Sequence, residues 1–171
     1  MPVPGYLTVS GATQGNITQG AGSTTSIGGL SQTGHEDQCL IEAMSCEVVI
    51  PRDPQSGQPT GTRVHQPSTF TKIFDKASPL LWQSLCTGEV LQMQMDFYRI
   101  ATTGTQEKYY TIKWTDAVMV DGKGAMPNCL DPAFANYTNM ETWSFTYRKI
   151  EWDNTAAGTS GSDDWRSPNQ A

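Results

Sequence analysis

Apolar and polar residues alternate with a period of two in segment after segment of this chain, and a helical period stands out only once. "GYLTVSG" at 5–11 sets Leu7 and Val9 against Tyr6, Thr8 and Ser10 and ends at glycine, which predicts a first strand. The cleanest alternation lies at 90–100, where Leu91, Met93, Met95 and Phe97 oppose Gln92, Gln94 and Asp96. "ATTGTQ" then turns the chain and "EKYYTIKWTDAVMV" returns from it, so the pair reads as a hairpin. At 68–75, Phe70, Lys72 and Phe74 alternate with Thr69, Thr71 and Ile73. "METWSFTYRKIEW" reads as one long strand, with Trp143, Phe145, Tyr147 and Lys149 on one face and Thr142, Ser144, Thr146 and Arg148 on the other.

The segment 38–50, "QCLIEAMSCEVVI", also predicts a strand, but both of its faces are mixed. Leu40, Glu42, Met44, Cys46 and Val48 share one side; Ile41, Ala43, Ser45, Glu47 and Val49 share the other. Such a strand has core on one side and a partner or a wetted cavity on the other. The helical period belongs to "SPLLWQSLCTGE", with Ser78 as N-cap, Pro79 at the first helical position and Gly88 placed for a left-handed C-terminal cap. Leu81 and Leu85 form its apolar stripe, beside Trp82 and Cys86.

Between these elements, residues 11–34 are rich in Gly, Ser, Thr and Gln and read as linker, with room for a short strand at 16–19. "VDGKGAMPNC" reads as a turn and 131–136 as a loop. The tail from 154 to 171 is polar, with Trp165 its only large apolar anchor. The stretch 51–67, "PRDPQSGQPTGTRVHQP", carries prolines at 51, 54, 59 and 67 and can be neither helix nor central strand. Structureless loops longer than about 12–15 residues are uncommon in compact domains and usually functional. These elements predict a mainly β fold: a small antiparallel β-barrel of two packed sheets with one flanking α-helix, in a single domain spanning 1–171.

Composition narrows the possible functions. The net charge is −6 and the only adjacent basic pair is Arg148-Lys149, which argues against nucleic acid and anionic membrane surfaces as partners. The hydrophobic fraction of 37% is low, as for a loop-rich domain or a subunit that hides area against copies of itself. "MPVPGYLTVSGATQ" has neither the charged nor the apolar region of a signal peptide, so synthesis and folding in the cytoplasm are expected. Cys39, Cys46, Cys86 and Cys129 contain no C-x-x-C pair and read as buried thiols.

The enzyme-like candidates are sparse. His35-Glu36-Asp37 lacks a second histidine four residues on, since position 39 is cysteine, and His65 lies beyond the proline-rich loop. No nucleophile elbow or phosphate-binding glycine loop is present. No metal, cofactor or catalytic residue is expected. A hydrolase built around His35 stays as a minor alternative.

Taken in order along the chain, "MPVPGYLTVSGATQGNIT", "GHEDQ", "DPQSGQPTGTRVHQP", "KASPLLWQSLCTGE", "YRKIEW" and "AGTSGSDDWRSP" resemble the Hcp (haemolysin-coregulated protein) family of bacterial type VI secretion. The resemblance runs over residues 1–171. It implies a barrel similar to phage tail-tube proteins. It also implies a homo-hexameric ring, rings stacked into a tube, a contractile sheath and spike protein as partners, and small effectors carried in the lumen. Export of the assembled tube to the medium or a target cell, without a signal peptide, follows from it. The chain ends at "RSPNQA", which resembles the plain tube subunit without a fused toxin.

The resemblance places Ser45 on the lumen wall with Ala43 and Glu47, although an ordinary inward-facing serine would fit the same strand. Residues 51–67 are expected to reach a neighbouring subunit, with Arg52, Asp53, Gln55, Gln58, Arg63 and His65 bonding across the contact. A free-standing β-sandwich binding module, gripping a ligand with loops 11–34 and 51–67, is the alternative reading.

Overall fold

A computed structural model describes residues 3–167, and the alternating segments become antiparallel strands. They are β1 (Gly5–Gly11), β2 (Gly15–Asn16), β3 (Cys39–Ser45), β4 (Val48–Val49), β5 (Val64–His65), β6 (Ser68–Ile73), β7 (Leu91–Ile100), β8 (Gln106–Ala125), β9 (Met140–Thr146), β10 (Lys149–Asn154) and β11 (Thr159–Asp164). A single turn of helix, α1 (Thr24–Ile27), the ten-residue α2 (Ser78–Thr87) and two 3-10 turns, Gly28–Leu30 and Pro132–Phe134, complete the set.

Six strands close on themselves in the order β8-β7-β1-β3-β6-β9 and back to β8. The expected mainly β, antiparallel architecture is therefore present, and its two sides are joined because the 20-residue β8 serves both. Its first half pairs with β7 and β10, its second with β9. The changeover falls at Asp116, which has φ +52° and whose carboxylate accepts from Arg148 Nε (2.7 Å) and Gln92 Nε2 (3.1 Å). Aspartate tolerates this conformation better than most residues, and the two donors hold it there.

Core side chains come from the predicted faces of three strands, Leu7 and Val9 of β1, Met93 and Met95 of β7, Trp143 and Phe145 of β9, and from Ile112 and Trp114 of β8, all at most 5% exposed. Each such burial contributes about 1.5–3 kcal/mol. Leu81 of α2 enters the same core, and Gly88 ends the helix in the left-handed conformation. The N-terminus differs from expectation. Ala77 occupies the cap, Asp75 Oδ1 accepts from the amides of Ala77 (2.8 Å) and Ser78 (3.2 Å), and the Ser78 hydroxyl turns inward to Glu141 (2.7 Å).

Several sequence expectations are corrected. "VDGKGA" is not a turn but the end of β8, because its glycines make room for aromatic rings. Gly122 pairs with Trp143, and a Cβ there would lie 2.7 Å from Trp143 Cζ3 and 3.1 Å from Trp82. Gly122→Ala is expected to cost about 1–3 kcal/mol through overpacking, read as a lower urea midpoint at unchanged slope. An unchanged midpoint would mean the rings yield freely. The long strand at 140–152 breaks at Tyr147-Arg148, where Arg148 N donates to Thr115 O and the chain passes from β9 to β10.

Residues 11–34 are not free linker. Ile17, Thr18 and Ala21 are fully buried and Ala12 N donates to Val90 O, so this segment closes over the fold instead of gripping a ligand. Only Cys39 of the four thiols is buried; Cys46, Cys86 and Cys129 are exposed. The polar tail contains β11, which pairs with β10 from Lys149↔Asp164 to Asn154↔Thr159. Positions 168–171 of that tail lie outside the described residues.

Candidate functional site

The mixed strand at 38–50 resolves into two structures with different surroundings. A bulge at Glu42 sets Ile41 opposite Lys72 but Ala43 opposite Thr71, so the alternation changes phase. Cys39 and Ile41 point into the core, whereas Ala43 and Ser45 are exposed and Met44 packs against the core. Ile41 therefore does not share a face with Ala43 and Ser45, as simple alternation predicts. Glu47 lies beyond β3, which ends at Ser45, and its carbonyl accepts from Gln66 N.

Ala43 and Ser45 belong to a polar sheet face that crosses four strands in register. One row runs Ala43, Thr71, Thr142, Lys123; the next runs Ser45, Thr69, Ser144, Asp121. Hydroxyls bond along the rows, Ser45 Oγ to Thr69 Oγ1 at 2.8 Å and Thr71 Oγ1 to Thr142 Oγ1 at 3.1 Å. These two rows carry no large apolar side chain; the next row on the same face brings in Ile73 and Met140. Sequence reasoning found Ser45 but not its neighbours, whose only signal was the Thr and Ser on one side of β6 and β9.

Beyond β3 the chain leaves the ring as an arm. β4 and β5 pair only with each other, Val48↔His65 and Val49↔Val64, and Gln66 N donates to Glu47 O. Further out, Thr60 N donates to Pro51 O and Arg52 bridges to Pro59. The tip is a turn in which Asp53 accepts from Gln55 N (3.0 Å) and Ser56 Oγ (2.7 Å). The predicted structureless loop is thus a hairpin, with its prolines at positions that need no ladder donor. Arg52, Gln55 and Gln58 are exposed along it, and Asp53 is spent on the turn.

The arm also exposes apolar area. Val48, Val49, Ile50 and Val64 are 43, 37, 54 and 37% exposed, with Val49 paired to Val64 on one face of the ladder, Val48 on the other and Ile50 just beyond it. Such a ladder is marginally stable in water by itself.

Arg63 and His65, expected to bond a neighbour, are engaged within the chain. Arg63 grips both carboxylate oxygens of Asp163 on β11, with NH2 to Oδ1 at 2.6 Å, and also reaches Asp164 O at 2.9 Å. His65 is buried, with Nε2 2.7 Å from Asp163 Oδ2 and Nδ1 2.9 Å from Tyr147 Oη. A neutral ring donating to the carboxylate accepts from the tyrosine. The Arg63 guanidinium, helped by His65, holds the Asp163 carboxyl below the usual carboxylate range against partial burial. Its stabilisation is present above the ordinary Asp value of about 4 and is lost as pH falls through the lowered one. Burial pushes the Tyr147 phenol up to about 12.

His35 is accounted for by packing. Its ring stacks on Tyr6 with centroids 3.6 Å apart, Tyr98 meets both edge-on, and Nδ1 lies 2.7 Å from Gln38 Oε1. Among the described residues, no three His, Cys, Asp or Glu side chains gather as a metal site. No helix among them is long and apolar enough to cross a membrane.

Comparison with known proteins agrees with this geometry. The family model described as "Type VI secretion system effector, Hcp" matches residues 6–153. The "Major exported protein" of Pseudomonas aeruginosa is 53% identical over 169 residues, covering 98% of each chain. A crystal structure of an Hcp protein superposes with a TM-score of 0.92 at 42% identity, over 96% of this chain and 99% of that one. The secreted protein Hcp3 from Pseudomonas aeruginosa superposes at 0.81 with 44% identity, over 96% and 99%. The chain belongs to the Hcp family of type VI secretion system proteins.

Proposed function

We propose that this chain is a structural tube subunit: copies join into hexameric rings, the rings stack, and the tube is exported carrying small effectors in its lumen. The observation that carries this reading is the arm. Four half-exposed apolar residues on and beside an isolated two-stranded ladder gain from a further covering surface, and the protomer itself covers them only in part. A second copy supplies one through a heterologous contact, in which one surface meets a different surface and closes into rings or continues as stacks. The prolines limit the entropy lost on docking, and the exposed Arg52, Gln55 and Gln58 supply polar contacts beside the apolar residues.

The hydroxyl-rich face around Ser45 suits the lumen wall. Its two polar rows offer donors and acceptors without apolar adhesion, so a folded effector is held weakly and released. The sheath and spike are the partners of the tube in this reading, and the protein does its work without catalysis. Native mass spectrometry of the purified chain tests the ring: a hexamer is expected, and a monomer at micromolar concentration contradicts it.

The lumen assignment has its own test. Ser45→Gln should leave the ring mass unchanged while weakening retention of a co-expressed effector several-fold. Dissociation of the ring would instead place Ser45 in a subunit contact.

A further inference from the structure

Among the described residues, every hydrogen bond from residues 47–66 to the rest of the chain runs through Arg63 or His65. Three of these five bonds end on the Asp163 carboxylate. The β4–β5 ladder has no backbone pairing with the main sheet. The arm is therefore a lever held at its root chiefly by the Asp163 side chain of the C-terminal strand, with Asp164 O and Tyr147 Oη as the remaining anchors.

We infer that Asp163 is a positioning residue, a latch that sets the angle of the arm to the ring and so readies it for the next copy. The inference rests on the docking role proposed for the arm. Three features support it. The bonds to Asp163 are charge-assisted and two-pronged from Arg63, which fixes direction as well as distance. His65 is 3% exposed and held from both ring nitrogens, between Asp163 on β11 and Tyr147 at the β9–β10 corner. Trp165, just past β11, lies over the His65 ring with centroids 5.8 Å apart and shields the root.

The next residue shows that the latch is specific to one carboxylate. Asp164 gives its own side chain to Arg148, which also holds Asp116 at the bend of β8. Adjacent acidic residues thus serve different anchors, Asp163 the arm and Asp164 the bend. The C-terminal strand, predicted as a peripheral tail, becomes the part of the chain that orders the arm.

Asp163→Asn keeps the shape and removes the charge, and Asp163→Glu restores the charge on a longer stem. Amide hydrogen exchange of Val49, Thr60, Val64 and Gln66 reads arm order directly. In Asp163→Asn these amides should exchange at least about tenfold faster while those of β1 and β7 are unchanged, and Asp163→Glu should recover part of the loss. Ring stacking, seen by electron microscopy, should weaken in parallel. Arm exchange equal to the parent overturns the latch whatever happens to assembly. A loosened arm with normal stacking overturns the positioning role. If a protein lacking the arm tip also stacks normally, the failure lies instead with the docking reading.

Discussion

Lys72→Met is expected to lower stability by about 3–5 kcal/mol, the largest loss from any single substitution considered for this fold. Lys72 is fully buried on β6, with Nζ 2.6 Å from Glu141 Oε1 and 2.7 Å from Asp75 Oδ1. It also donates to Ser78 Oγ at 3.0 Å and Ile73 O at 3.1 Å. The ammonium thus ties β6 to β9 and to the cap of α2. Without it, two carboxylates lose their only buried cation. Methionine fills the stem's volume, so the effect reports charge and not a cavity.

Burial pulls the Lys72 ammonium down, but Cys39, Asp75 and Glu141 outweigh it and the net displacement is upward. The stability it gives is therefore full below the unfolded lysine value of about 10.4 and lost as pH rises through the higher folded one. The parent should weaken at strongly alkaline pH, and Lys72→Met should lack that dependence. A thermal midpoint lowered by about 10 °C at neutral pH is the expected reading. A change under 2 °C would show that the cluster contributes nothing net, and Glu141→Gln in the Lys72→Met background should recover part of the loss.

Lys72 also shows where sequence reading stops. Its alternation with Phe70 was legible, yet nothing local said that a charge on that face would be buried, because Glu141 arrives from a distant strand. Phe74, on the same predicted face, is 45% exposed. β1 and β7 were read closely because each sends an unbroken apolar row into the core, Leu7 and Val9 from one and Leu91, Met93 and Met95 from the other, although Tyr6 and Asp96 are buried on their opposite faces. The end of β8 was misread because "DGKG" has turn composition, and the glycines answer to rings that only the fold brings near.

The candidate site was legible in part for similar reasons. Ser45 was placed by resemblance, but the bulge at Glu42 re-phases its strand, and no pattern within 38–50 announces a bulge. The arm was visible as an anomaly of proline and length. Its hairpin ladder was not, since two residue pairs leave little alternation to read. Asp163 lay in a stretch of Gly, Ser and Asp, which reads as tail until Arg63 and His65 are set beside it.

The second large effect concerns the arm itself. Replacing residues 51–62 with Asn-Gly keeps β4, β5, Ile50 and Arg63 and closes them with a two-residue turn suited to a hairpin. The latch to Asp163 is retained, and the fold of the ring of strands should be untouched, because residues 51–62 are almost wholly exposed and bond only among themselves. Circular dichroism and the urea midpoint should match the parent within about 0.5 kcal/mol. Assembly should not match. The stump keeps the apolar residues Val48, Val49, Ile50 and Val64 but loses Arg52, Gln55 and Gln58 and the length that carries them to the next copy, so the contact is left without its polar half.

Sedimentation velocity combined with electron microscopy, on the parent and the 51–62 replacement at equal concentration, tests this most directly. The parent should form rings that stack, and the shortened protein should remain folded while rings, stacks or both are lost. Rings and tubes formed equally well by the shortened protein would contradict the account.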